Sequence, residues 1–208
     1  METLAPDLVE AQIRSVLADI PPHAAKTGAL GSAAVVIAVA RCAESFTFPL
    51  VVDPVMISKH GAPLLDDDSV HTLVDHLIPR AFLLTPNLDE ASALVGFTVD
   101  DGESMLRAAQ RLVEMGATNV LIKGGHLSGD ALDLLLTSER QIEEFRAPRI
   151  DTPHTHGSGC TYSAAITAEL AKGLPLLNAV RSAKQFITKA IRTAPGLGQG
   201  QGPLNHFA

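Results

Sequence analysis

A chain of 208 residues, 46% of them hydrophobic, can bury one sizeable core, and no Ser/Gly/Pro linker divides it, so a single domain over residues 1–208 is expected. A formal net charge of −7 without a Lys/Arg cluster argues against nucleic acid as a partner, because binding a phosphate backbone needs a basic face. Cys42 and Cys160 alone make neither a disulfide framework nor a CxxC metal signature, and no apolar run approaches the ~20 residues of a bilayer span, so a reducing cytoplasm and no membrane are expected.

Pro6 and Asp7 open a helix in which Val9, Ile13, Val16, Leu17 and Ile20 share a face, and Pro21-Pro22 end it. Residues 26–30 read as a short strand and turn, after which Ser32 caps a helix through about Arg41. Pro49 to Val55 is an apolar strand broken by Asp53-Pro54. Asp66, Asp67 and Asp68 crowd the start of the next helix, whose apolar stripe is Val70, Leu73, Val74 and Leu77. Phe82 to Asn87 is a second strand ended by proline, followed by a helix from Leu88 and another from Ser104 to Met115.

Asn119 to Gly125 is a third such strand, and Asp130 to Leu136 with Gln141 to Arg146 predicts a hairpin around Thr137–Arg140. Gly157–Cys160 then launches a helix to about Lys172, Leu176 to Thr193 supplies the last, and the Gly-rich tail is expected to be ordered only through contact with the body. Aromatic residues make up only 4%, and the balance of Ala, Val, Leu and Ile with alternating strands and helices predicts an α/β fold with a parallel sheet between helical layers. Ligands in such folds bind beyond the carboxyl ends of the strands, the rim to which Asp53, Asn87, Glu90, Lys123 and the Gly157–Cys160 loop all map.

That rim has the parts phosphoryl transfer needs. Gly157 and Gly159, with Ser158 between them, allow a tight turn whose amide N–H groups converge at a helix N-terminus, a cradle for phosphate; the alternative is a Gly-rich loop ending in a small buried Cys. Cys160, beside that phosphate, is expected to have a lowered pKa and to take a proton from an attacking hydroxyl. Asp53 and Glu90 suit a hydrated Mg²⁺, which takes only one or two carboxylates, although a turn residue before proline and a helix-start charge explain them equally well. Lys123 could reach a phosphate or serve as a solvated surface charge.

Asp53-Pro-Val-Met56, Thr85-Pro-Asn-Leu-Asp-Glu-Ala91, Lys123-Gly-Gly-His126, Thr155-His-Gly-Ser-Gly-Cys-Thr161 and Gly202-Pro-Leu-Asn-His-Phe207 resemble, in order and over essentially the whole chain, the bacterial hydroxymethylpyrimidine/phosphomethylpyrimidine kinases of thiamine biosynthesis. The resemblance implies a ribokinase-like three-layer α/β/α fold with a mainly parallel central sheet. It also implies phosphorylation of 4-amino-5-hydroxymethyl-2-methylpyrimidine and its monophosphate by ATP with Mg²⁺, and a homodimer. Carried onto this chain, Gly157, Ser158, Gly159 and Cys160 form the anion hole, with Cys160 as candidate base. Lys123, Thr155, His156 and Asn87 line the nucleotide, and Asp53 and Glu90 hold the metal. His156 could instead only cap the helix.

Two departures stand out. Family members begin with a strand and a Gly-Ser-Asp type loop that has no counterpart here, which predicts unpaired sheet edges and exposed apolar helix faces. Ala29 stands where many relatives have Met in a turn near the pyrimidine. Pyridoxal-type kinase activity, or a nucleotide- or precursor-binding module without turnover, are the alternative expectations.

Overall fold

A computed structural model describes residues 3–57, 64–125 and 129–208, and among these six strands form one sheet in the sequential order β1 (Ala25–Thr27), β2 (Leu50–Val52), β3 (Leu83–Leu84), β4 (Val120–Gly124), β5 (Ala131–Leu136), β6 (Ile142–Ala147). The first four run parallel and the last two antiparallel, so the predicted hairpin closes one edge and β1 leaves the other open. Two of the parallel strands, β2 and β3, are short because a proline follows each. Pro54 follows Asp53, where Val55 N–H turns back to the Asp53 carbonyl at 2.9 Å, and Pro86 follows Thr85.

Strand alternation sorts the core into two clusters. Val52, Leu84, Val120, Ile122 and Leu134 meet α2 (Ala33–Ala43), α4 (Leu88–Val95) and α5 (Gly102–Glu114) on one face. Val51, Leu83, Leu121 and Leu135 meet α6 (Ser158–Ala171) and α7 (Leu176–Arg192) on the other. These strand residues are almost wholly buried, each Leu or Ile contributing about 1.5–3 kcal/mol of transfer free energy. The result is the three-layer α/β/α architecture that the apolar runs predicted.

Local rules explain most helix starts. Ser32 accepts a hydrogen bond from Val35 N–H, and Asp101 with Ser104 makes a reciprocal capping box, so α5 starts two residues before the predicted Ser104. The stripe Val70–Leu77 does not form one regular helix: α3 (Asp67–Thr72) widens into a π-turn over Leu73–Leu77 and tightens over Ile78–Arg80. Pro79 supplies no N–H for a continuing helix, which accounts for the change of pitch there.

The helix α1 (Pro6–Asp19) leaves much of its apolar face open, as expected. Val9 and Ile13 pack on the core, but no residue of α1 is fully buried, and Val16 and Ile20 are 55% and 73% exposed. The tail is ordered by contact, as expected. Gly202 N–H donates to His154 Nδ1 at 3.1 Å, Pro203 bridges to His156, and Asn205 N–H reaches the Ala190 carbonyl. Only glycine fits at 202, because a Cβ there would strike the His154 ring and lie 2.7 Å from the Leu197 carbonyl oxygen. No helix among the described residues is long and apolar enough to cross a membrane.

Candidate active site

Because Val51, Leu83 and Leu121 face α6 and α7, the residues two further along each strand, Asp53, Thr85 and Lys123, face the same side at the carboxyl ends. Lys26 pairs in register with Val51 and points that way too. The row is tightly coupled. Asp53, 2% exposed, accepts Lys123 Nζ at 2.7 Å and Thr85 Oγ1 at 3.2 Å on Oδ1, and Ser163 Oγ of α6 at 2.9 Å on Oδ2, while Lys26 Nζ stands 4.0 Å from Oδ2. Burial opposes ionisation of Asp53, but Lys123, Ser163 and Lys26 outweigh it and hold the carboxyl below its ordinary value. Lys123, 8% exposed, likewise stays charged: desolvation would lower its pKa, and Asp53 and Glu90 together raise it. Lys123 is therefore a buried partner of Asp53 rather than a solvated surface charge.

Asn87 and Glu90 start α4 as a capping box: Asn87 Oδ1 accepts Glu90 N–H, and Glu90 Oε2 accepts Asn87 N–H, both at 2.8 Å. Asn87 also bridges to the Lys123 backbone, which draws the box against β4. Burial pushes Glu90 up to about 7, with Asp53 and Asp89 adding to it and Lys123 and the Asn87 N–H opposing. A second buried pair braces this corner from behind. Asp133 on β5 accepts Gly124 N–H at 3.1 Å and Lys184 of α7 at 2.6 Å, tying down the strand end that bears Lys123.

Gly157 adopts φ 75°, a left-handed conformation that makes the expected tight turn, while Gly159 is already helical, and α6 begins with no side-chain cap. The N–H groups of Gly159 and Cys160 donate to no described group, so they remain available to an anion with the helix dipole behind them. Gly159 has a second function: a Cβ there would lie 3.3 Å from Lys123 Nζ, so its bareness lets the loop close over the ammonium. Thr155 and Ser158 bond to each other through their backbones as the loop turns, and the exposed His156 meets the tail at Pro203. The structure thus brings Asp53, Glu90, Lys123, Gly159 and Cys160 together with Asn87 alongside, and sets Thr155 and His156 at the loop's start. His126 of the Lys-Gly-Gly-His motif lies outside the described residues.

Cys160 corrects one expectation. Although exposed, its thiol is pushed above its ordinary value, because loss of solvation in the recess and the Asp53 charge outweigh Lys26 and Lys123. The resting group is a thiol. Lys26, Thr85 and Ser163 were not among the residues picked out from sequence. Ser163 was accessible to a spacing argument, since it follows Cys160 by three positions and so shares its helix face.

Among the described residues no three His, Cys, Asp or Glu side chains cluster as a metal cage. The donors suit a hydrated Mg²⁺: Glu90 Oε1 accepts from no described residue, while both Asp53 oxygens already accept hydrogen bonds. Ionising Glu90 without a cation carries a cost that appears above the ordinary glutamate range and is complete above about 7. Glu90→Gln, which keeps the cap, is therefore expected to stabilise the metal-free protein by about 2–3 kcal/mol at pH 8, with the gain vanishing near pH 4. Urea denaturation at the two pH values measures it, and an equal effect at both would show that the charge is not the cause.

Comparison with known proteins places these residues in a family context. The family model described as phosphomethylpyrimidine kinase matches residues 1–205. The thiamine biosynthesis bifunctional protein of Geobacter sulfurreducens is 47% identical over 97% of this chain and 41% of its own length. The hydroxymethylpyrimidine/phosphomethylpyrimidine kinase of Synechococcus elongatus is 44% identical over 100% of this chain and 79% of its own. The structure of a Bacillus subtilis pyridoxal kinase in complex with ADP superposes with a TM-score of 0.90 at 37% identity, covering 99% of this chain and 77% of that one.

Proposed function

The chain belongs to the phosphomethylpyrimidine kinase family, and on that premise we propose that it transfers the γ-phosphoryl group of ATP to 4-amino-5-hydroxymethyl-2-methylpyrimidine and to its monophosphate. The observation that carries the reading is the buried Lys123 ammonium held beneath the Gly157–Cys160 loop, where a fixed cation lies close to backbone N–H groups that donate to no described residue. Such an arrangement suits the terminal phosphates of a nucleotide, because phosphoryl transfer depends on positioning and on neutralising equatorial oxygens.

In this reading Lys123 and the amides of Gly159 and Cys160 bind the phosphates, with Gly157 and Ser158 shaping the loop. Thr155, His156 and Asn87 flank the nucleotide. Glu90 would hold Mg²⁺ with Asp53 near by, and the ion, when bound, would offset charge on the transferred phosphates. Asp53 also keeps Lys123 charged and aimed. Cys160 faces the acceptor and receives the proton that its hydroxyl loses, through the thiolate fraction that grows as pH rises.

The test is ATP-dependent turnover by the purified chain with hydroxymethylpyrimidine, its monophosphate and pyridoxal offered separately. Phosphorylation of both pyrimidines is expected. Turnover of pyridoxal alone would move the assignment to a pyridoxal kinase, and no turnover by folded, ATP-binding protein would reduce it to a binding module.

A further inference from the structure

Resting on the kinase reading above, we propose that Lys26 holds the phosphate of an already phosphorylated acceptor, and so determines specificity for the second of the two phosphorylations. Asp53 lies between two ammonium groups: Lys123 of β4 at 2.7 Å from Oδ1, and Lys26 of β1 at 4.0 Å from Oδ2. The carboxylate is fully served without Lys26, since Lys123, Thr85 and Ser163 already donate to its two oxygens. Lys26 donates a hydrogen bond to no described residue, yet three-quarters of its side chain is covered, its exposure being 23%. Its ammonium is thus held near Asp53 by charge alone, with its N–H groups free of any described acceptor.

The balance of charge points the same way. Two ammonium groups face the one buried carboxylate of Asp53, one more cation than Asp53 alone offsets. Both lysines act on Cys160, Lys26 the more strongly, so the thiol sits within the field of each. The sheet order places β2 and β3 between the strands that bear them, which separates the two cations to either side of Asp53.

The two reactions use such a cation differently. In the first, an acceptor hydroxyl oxygen bonds to the γ-phosphorus, the bond to the bridging oxygen of ADP breaks, and the hydroxyl proton leaves. In the second, an oxygen of the acceptor's own phosphate makes the same attack with ADP as leaving group. That phosphate is largely a dianion at neutral pH and has little proton to lose. The second reaction therefore brings two further negative charges into the space beside Cys160. With Lys123 engaged by the nucleotide, Lys26 is the ammonium on this side of Asp53, among the described residues, that can receive them through a charge-assisted hydrogen bond.

Lys26→Met is expected to raise KM for the pyrimidine monophosphate about tenfold or more, while KM for the unphosphorylated pyrimidine and for ATP stays within about threefold. Lys26→Arg is expected to recover most of the loss. Equal effects on both acceptors would overturn the proposal and make Lys26 a support for Asp53, and no effect on either would also overturn it. Should Lys26→Met fail to give a cooperative melt and ATP binding, Lys26→Gln replaces it under the same criteria. Failure of the kinase reading looks different: the unaltered chain would phosphorylate neither pyrimidine.

Discussion

Lys123→Met is expected to destabilise the protein by about 3–5 kcal/mol, because it leaves Asp53 as a buried carboxylate without its principal cation. The sign of its pH dependence follows from Asp53. In the unaltered protein the carboxyl is held below its ordinary value, so the pair contributes fully above the ordinary carboxylate range and is lost as pH falls through the depressed value. The penalty of the substitution should accordingly be largest at neutral pH and shrink toward pH 3. Asp53→Asn in the same chain should recover much of the stability, since a neutral amide needs no counter-ion. It should not recover activity, because the ammonium under the phosphate loop is still missing, a loss of about 10²–10³-fold in kcat. Denaturation of the single and double variants, with turnover measured in parallel, separates these effects. A double variant as unstable as Lys123→Met would show that the pair is not what holds this corner together.

Cys160→Ala is expected to slow phosphorylation of the hydroxyl acceptor by about 10²–10⁴-fold while ATP binding stays within a few-fold. Gly157, Gly159 and the backbone N–H of residue 160 are untouched by the change, so the phosphate cradle survives. The raised thiol value gives this prediction a pH signature. Thiolate forms only above the ordinary thiol range, so the rate with the hydroxyl acceptor should climb into alkaline pH and the climb should disappear in the alanine variant. The monophosphate, which has little proton to give up, should be less affected by the substitution. Unchanged turnover of the hydroxyl acceptor would remove Cys160 from proton transfer altogether.

Much of this was legible in the residues themselves. Apolar runs ending in Asp-Pro and Thr-Pro declare buried parallel strands that stop at a polar rim, and the rim assembles as read, with Asp53, Glu90, Lys123 and the Gly157–Cys160 loop adjacent. The tight turn at Gly157 is equally local, whereas the capping boxes at Asn87 and Asp101, though each lies within one turn of chain, were not read, and the second starts α5 two residues before the expected Ser104.

What only the tertiary structure decided is charge and cover, because both depend on groups far apart in sequence. Lys123 meets Asp53 across 70 positions and Ser163 meets it across 110, so no local pattern shows that the aspartate is neutralised, or that the lysine is buried rather than solvated. A helix N-terminus by itself predicts an acidic thiol at Cys160; the fold reverses that by partial loss of solvation around the exposed residue and by the charge of Asp53. Lys26 carries no motif signal, and its place near Cys160 follows from the register of β1 on β2. The apolar face of α1 shows the same limit, since periodicity states which side of a helix prefers cover but not how much the fold supplies. Backbone turns and strand ends answer to neighbours a few residues away and are written locally; protonation and burial answer to whatever the fold brings within a few ångströms.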